Sequence, residues 1–436
     1  MPSQLHVGAA TANITPKLGT HMQGYFSDRQ ADEVADELYA KAIVLQNDET
    51  ALAVVVCDII GTYQHYLDAA KARAAELTGI PQANIFISCT HTHYGPNTLE
   101  LAHLPHEAEY TAWAMDKVGD AVKLACNRLE PARMGHASGS CPEETHNRRW
   151  HMQDGTVRMN PGYMSPERVR PAGPTDPEVA IAVFISEQDR PLAALCNYSL
   201  HYVGSAAATA ISANYFGAFS RALQRMAGGD FVAIMANGCC GDINNGDWTR
   251  PQPPMPHPHY QVERVGKVVA ARAYGAWQQI RDYDPAPVLR AATEMVDFRR
   301  RESTPEELAE AKLRYEKRDE LELTEWVYAL EALKVAEEPL VRPTPVMALR
   351  LGDLGIVGVP GEMFVDYGLQ IKARSPFART MSIELANDFV GYCPTDIALE
   401  EGSYETRLCR WGKCAPGTEQ QMVEAGVGLL SRLAAD

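Results

Sequence analysis

The chain has 436 residues, 46% of them hydrophobic, enough for a large core in about two or three domains or in one extended α/β body. Its 40 basic and 56 acidic residues give a formal net charge of −16, which argues against nucleic acid or an anionic membrane as the main partner. The opening residues lack the basic and apolar regions of an export signal, and no run approaches the roughly 20 apolar residues that cross a bilayer. The chain is therefore expected in the cytoplasm, unless a leader has been removed, with no stable membrane association. The ten cysteines follow no repeated spacing and read as small core residues of a reducing compartment; Cys409 and Cys414 are not expected to pair.

In chain order, residues 5–12 read as a short strand ended by Asn13-Ile14-Thr15-Pro16. Residues 18–30 follow neither period and are expected to form an ordered loop. Apolar runs at 40–46 and 51–57 flank Asn47-Asp48-Glu49-Thr50, a hairpin pattern. Asp58 closes the second strand, either as a carboxylate behind a site or as a helix cap. A helix over 65–78 leads to the apolar run 83–88, read as a buried strand, and then to Cys89-Thr90-His91-Thr92-His93-Tyr94-Gly95-Pro96. Strand alternation would project His91 and His93 to one face. Gly95-Pro96 then turns the chain at the strand's end, where α/β proteins keep their chemistry. Two adjacent imidazoles suit a divalent metal, or a metal ligand beside an acid–base partner.

A helix near 107–128 precedes a strand at 132–138. Residues 141–176 are proline-rich and polar without a period, and are expected to form a long functional loop. Within it, Arg148 and Arg149 beside Trp150 favour a polar or anionic group. A hairpin of 179–186 and 191–200 ends at His201. A helix at 214–227, capped by Ser212, leads to a buried strand at 231–235. That strand runs into Gly238-Cys239-Cys240-Gly241-Asp242, whose glycines would bring backbone N–H groups close to a ligand or oxyanion. Without a lysine it is not a phosphate loop. A helix near 260–281 and a strand near 287–298 follow, and 304–336 reads as two charged surface helices without a site. A further hairpin, 346–351 and 355–359, runs into Pro360-Gly361-Glu362 at the start of a helix. A strand at 381–385 precedes Tyr392, Tyr404 and Glu405, and a last helix covers about 418–434. The expected fold class is α/β: a mixed β-sheet core with surrounding helices, and no linker dividing residues 1–436.

With these pieces in order, the chain resembles the neutral ceramidase family of zinc-dependent amidohydrolases, from Gly8-Ala9-Ala10 and Gly24-Tyr25 to the last helix. The most specific motif is His-Thr-His-X-Gly-Pro at 91–96. The resemblance implies that His91 binds zinc and that His93 faces the substrate's polar head. It implies His201 as the second ligand, Glu362 of Pro-Gly-Glu as the third, and Tyr392 as the group that completes the shell. One zinc ion per chain is implied, with manganese or another divalent ion as alternatives. Tyr404 and Arg148 carry over as substrate contacts. Where the family has a serine over the metal, this chain has Asn244, which can hydrogen-bond but cannot be that nucleophile. Cys240 has no evident activating cation and is not expected to replace it. The chain also stops soon after Tyr404, with no room for the family's immunoglobulin-like domain, so it reads as a divergent bacterial-type member.

The reaction so implied is hydrolysis of an amide in a small or polar N-acyl substrate by metal-activated water, with His93, Tyr404 and Arg148 stabilising the oxyanion. The same residues would serve β-elimination from a uronic-acid oligosaccharide, the metal neutralising a substrate carboxylate and Tyr404 or His93 moving the proton. Arg148 and Arg149 favour such an acidic substrate. A third reading, motivated by Asn244, is a non-catalytic binding protein. The sequence does not specify an oligomeric state.

Overall fold

The computed structural model describes residues 3–205 and 207–435. In the strand Ala51–Cys57, Leu52, Val54 and Val56 face one side, Ala53, Val55 and Cys57 the other, and all six are buried. A sheet made of such strands needs cover on both faces. Its eight strands lie in the order Val232–Asn237, Pro191–Tyr198, Glu178–Ser186, Glu130–Ser140, His6–Asn13, Tyr39–Gln46, Ala51–Cys57, Ile85–Cys89. The inner pairs are antiparallel and the pair at each edge is parallel. Helices α1 (Gln64–Thr78), α2 (Ala108–Cys126), α3 (Asn214–Ala227) and α4 (Tyr260–Trp277) cover one face, α1 packed with α2 and α3 with α4. Of these, α1 and α3 are the crossovers that the two parallel pairs require.

The other face packs on a second sheet, ordered Leu289–Arg299, Val341–Leu351, Leu354–Gly358, Arg379–Ile383. Val54, Phe86, Leu195 and Ile234 of the large sheet meet Met347, Leu349, Ile356 and Met381 of the small one in a single core. Each such side chain contributes on the order of 1.5–3 kcal/mol by leaving water. Between the first two strands of this sheet, α5 (Pro305–Glu316) and α6 (Leu323–Glu337) form a helical hairpin. Thr304 and Glu307 start α5 with a reciprocal capping box. Of α7 (Val365–Arg374), α8 (Asp396–Glu401) and α9 (Thr418–Ala435), α7 and α9 cover the outer face of the small sheet. The layers run helix, sheet, sheet, helix, the mixed α/β architecture expected. Among the described residues, no helix is long and apolar enough to cross a membrane.

The large sheet curls until its edge strands approach each other. Residues 384–387, leaving the small sheet, are stitched to both. Glu384 N donates to Asn237 O (3.1 Å), Asn387 N to Ile87 O (2.8 Å), and Cys89 N to Leu385 O (3.3 Å). The C-terminal ends of three parallel-paired strands therefore open into one place.

Several local expectations are corrected. Residues 141–176 are not a loop throughout: Arg149–Met152, Val157–Met159 and Arg168–Pro171 form a three-stranded sheet, of strands too short to display a period. Ser212 is not the cap residue, since α3 begins after Ala213; its Oγ accepts from Asn214 N (2.9 Å) and donates to Asp36 (2.8 Å). Asp58 neither caps a helix nor backs the site: it is fully buried against Lys41 Nζ (2.8 Å) and Tyr39 N (3.0 Å). Glu362 does not start a helix. With Met363 it forms a two-residue strand paired with Tyr392–Cys393, and α7 begins at Val365. By contrast, Cys409 and Cys414 agree with the expectation that they do not pair: both carry free thiols.

Candidate metal centre

The strand that ends at Cys89 does not reach the histidines, so alternation is not what brings His91 and His93 together. Past Cys89 the chain is pinned by Thr90 N to Cys57 O (2.9 Å), His91 N to Ile59 O (3.0 Å) and Thr92 Oγ1 to Ser212 O (2.6 Å). His91 adopts φ 66°, a left-handed backbone uncommon outside glycine. That turn sets the two Nε2 atoms 3.1 Å apart. His201, three residues past its own strand, brings a third imidazole; the ring nitrogens of His91, His93 and His201 all lie within 4.8 Å of one another. Glu362 Oε2 comes within 3.1 Å of His91 Nε2 and 3.8 Å of His201 Nε2.

Hydrogen bonds at the far side of the rings fix which nitrogen faces inward. His91 Nδ1 donates to Ile60 O (2.6 Å) and His93 Nδ1 to Gly24 O (2.9 Å), leaving each Nε2 as a lone-pair donor. Burial, and next the neighbouring His91, holds both His93 and His201 well below the usual imidazole range, so both rings are neutral, as metal ligation requires. Among the described residues, His201 Nε2 and Glu362 Oε2 are buried without a hydrogen-bond partner. Orphaned buried polar atoms are costly, and a divalent cation would satisfy both at once. Two or three imidazoles and a carboxylate form a donor set that suits zinc.

Two backbone features hold these groups. Gly24 has φ 106°, and a Cβ there would sit 2.5 Å from His93 Cγ, so no larger residue could bring its carbonyl beneath that ring. Gly391, at φ 89°, lies against the Trp411 backbone and sets Tyr392 beside Glu362 in register. The Tyr392 ring stacks near His201 with centroids 6.4 Å apart, and Tyr404 meets its edge at 5.8 Å. Burial pushes both phenols well above their usual range, so both stay protonated.

The cavity over this cluster measures about 240 Å³. His91, His93, His201, Glu362, Tyr392, Tyr404, Arg148 and Asn244 all line it, so the structure brings the residues aligned through the family resemblance into one chamber. The rest of the lining is largely apolar, with Phe26, Leu99, Leu101, Leu104, Phe389 and Trp411 on one wall. No residue pattern announces that wall, nor Tyr202, which stacks on His93 with ring centroids 3.7 Å apart.

The arginine pair is not the free anion receptor expected. Arg148 Nε donates to Glu405 Oε1 (2.8 Å), and Arg149 Nη1 to Glu405 Oε2 (3.1 Å), with Glu401 also beside Arg149. Arg149 is buried and outside the cavity lining; of the pair, only Arg148 reaches the chamber, with its Nη2 unpartnered. Asn244 Nδ2 donates to Asn160 Oδ1 (3.1 Å) at the rim.

The glycine turn at 238–241 is not an oxyanion cradle either. Gly238 N donates to Tyr198 O (2.9 Å), Gly241 N to Met363 O (2.8 Å) and Cys240 N to Glu384 Oε2 (3.1 Å). The glycines allow close packing on Ser199 and Glu362 instead. Burial, with Glu384 adjacent, pushes the Cys240 thiol well above its usual range, and its Sγ donates to Glu384 Oε1 (3.0 Å). Such a thiol is no nucleophile. Cys240→Ala deletes one sulfur and no donor of the cluster, and is accordingly expected to keep the turnover of any reaction run there within about threefold of wild type; a steady-state assay that finds that turnover abolished would overturn this.

No family model matches the sequence, and no curated protein does. Two solved structures are similar over 99% of this chain. The neutral ceramidase of Pseudomonas aeruginosa matches with a TM-score of 0.75 and 19% identity, over 75% of its own length. A structure described as ceramidase complexed with C2 matches with a TM-score of 0.76 and 17% identity, over 76% of its length. The chain has a neutral ceramidase-like fold.

Proposed function

We propose that a chain with this fold and this donor cluster is a zinc-dependent hydrolase of the amide bond in a small N-acyl substrate. The observation that carries the reading is the buried meeting of His91 Nε2, His201 Nε2 and Glu362 Oε2, the last two without other partners. His91, His201 and Glu362 would hold one ion per chain, with the Tyr392 phenol beside them; manganese or another divalent ion is the alternative to zinc. A bound zinc ion supplies Lewis acidity toward a carbonyl oxygen and lets water titrate near neutrality.

The chain's own residues supply the rest. His93, held through Nδ1 by Gly24 O, presents an Nε2 lone pair that can take up a proton. The protonated Tyr404 and the unpartnered Arg148 Nη2 are donors for the oxygen on which charge develops. Asn244 and Asn160 offer amide groups to orient the substrate's polar part. The apolar wall takes its hydrocarbon part and excludes water. Elimination from a uronic sugar loses support, because Arg149 and one edge of Arg148 are committed to glutamates.

The test is metal content by elemental mass spectrometry together with a panel of N-acyl amides. About one zinc per chain, and products that together gain the mass of one water, are expected. No metal after zinc is supplied, or products without added water, would sink the reading. His93→Ala separates roles within the cluster. It is expected to keep its zinc while kcat drops about 10²–10³-fold, the usual weight of a general acid–base group. Loss of zinc in that variant would make His93 a ligand.

A further inference from the structure

A charged strut that the chemistry above does not use holds the apolar wall in place. Glu331 lies on α6, in a stretch whose charge pattern reads as surface, yet it is fully buried. Its Oε1 accepts from Ala102 N (2.7 Å) and Arg410 Nη2 (2.6 Å), and its Oε2 from Arg410 N (3.0 Å). Arg410 Nη2 also reaches Ala102 O (3.4 Å). Ala102 has φ 55°, a left-handed turn that an alanine adopts only when its surroundings impose it. Leu101 and Leu104 on either side of that turn line the cavity, as does Trp411 next to Arg410. Three residues before Glu331, and so on the same helix face, Tyr328 packs on Trp411 (5.8 Å) and Phe26 (5.6 Å). The helix α6 thus backs the wall through one carboxylate and one ring.

The chamber that this wall bounds is small and partly open to solvent. Its 240 Å³ falls below the roughly 300–1,000 Å³ of pockets that enclose drug-sized ligands. We propose that Glu331, through Arg410 and Ala102, is a positioning residue that sets substrate specificity by closing the apolar arm, which restricts the enzyme to amides carrying a short alkyl chain. This rests on the amidase reading of the same pocket. The chain that enters the arm belongs either to the acyl or to the amine side of the amide, and both offer the same hydrocarbon chemistry. Within the arm each buried methylene is worth about fourfold in affinity; beyond its end the gain stops. Without the carboxylate, the Ala102 turn and Trp411 lose their common anchor and the arm lengthens.

The experiment measures kcat/KM along two amide series, one lengthening the acyl group and one the amine alkyl group, for wild type, Glu331→Ala and Glu331→Gln. Calorimetric titration with straight-chain carboxylic acids and alkylamines of the same lengths accompanies it, and reads the arm even if no amide is cleaved. Wild type is expected to gain about fourfold per methylene up to a short limit in one series and then to fall. Glu331→Ala should move that limit to longer chains with zinc content unchanged, and Glu331→Gln, which keeps an acceptor for Ala102 N, should restore most of the wild-type limit. Should Glu331→Ala not fold, Leu101→Ala enlarges the arm directly and must shift the limit the same way. A limit that is identical in every variant, by turnover and by titration, overturns the proposal, as does a wild type that prefers the longest chains. Titration limits that move while no amide is hydrolysed would sustain the strut and defeat the hydrolase.

Discussion

His91→Ala is expected to lose the ion and the activity together. His91 Nε2 stands at the middle of the donor cluster, 3.1 Å from both His93 Nε2 and Glu362 Oε2. Its removal takes the one donor to which the others are all close, and leaves Glu362, 3% exposed, facing a void. Groups that merely orient a ligand are worth about 10–100-fold in metal affinity, so a direct donor should exceed that. Zinc recovered with the purified variant should fall below about a tenth of wild type, and kcat/KM by about 10³-fold or more, roughly 4 kcal/mol of transition-state stabilisation. Glu362→Gln, which keeps the shape and removes the charge, should behave alike. Circular dichroism establishes that both variants are folded, and elemental mass spectrometry reads the ion. Wild-type zinc in His91→Ala would mean that the cluster is not the metal site.

The second large effect is on stability. Glu405 is fully buried and bridges Arg148 and Arg149, which are 4% and 1% exposed. Removing one partner of a buried ion pair leaves charge without compensation and costs about 3–5 kcal/mol, whereas an exposed pair is worth about 0–1. Glu405→Gln is therefore expected to lower the urea midpoint by the equivalent of about 3 kcal/mol or more at unchanged slope. Arg149 keeps Glu401 at 3.3 Å, so the loss falls mainly on Arg148, and with it on the donor that faces the cavity. A surface control, Glu302→Ala beside Arg299, should leave the midpoint in place. Equal midpoints for the two variants would show that the bridge contributes nothing.

The central strands of the large sheet were legible where both faces are covered, which writes long apolar runs such as 51–57 into the chain. The gathering of His91, His201, Glu362 and Tyr392 was legible only by resemblance, since no local period links residues so far apart in sequence. What escaped has physical reasons. The meeting of His93 with His91 was legible, but not the left-handed turn that makes it, a conformation that histidine's side chain does not announce. Glu405 and Glu331 look like ordinary surface acids, and their burial depends on arginines that are distant along the chain. The strands of 149–171 are too short to carry a period, and the turn at 238–241 has the composition of an anion cradle although its N–H groups bond to the protein.

The stitching of residues 384–387 to both edges of the large sheet also bears on how the molecule matures. The donors sit on segments that become neighbours only once the edge strands have curled together and the small sheet has docked. Contacts of such long sequence separation form late and slowly. A nascent chain that has emerged only through His201 holds three imidazoles but lacks the carboxylate of Glu362 and the strand that anchors it. On the proposed function, ion capture would then be the closing step of assembly. Its binding energy would be added to the stability of the whole four-layer body rather than to any fragment, and a misassembled chain would lack the complete donor set.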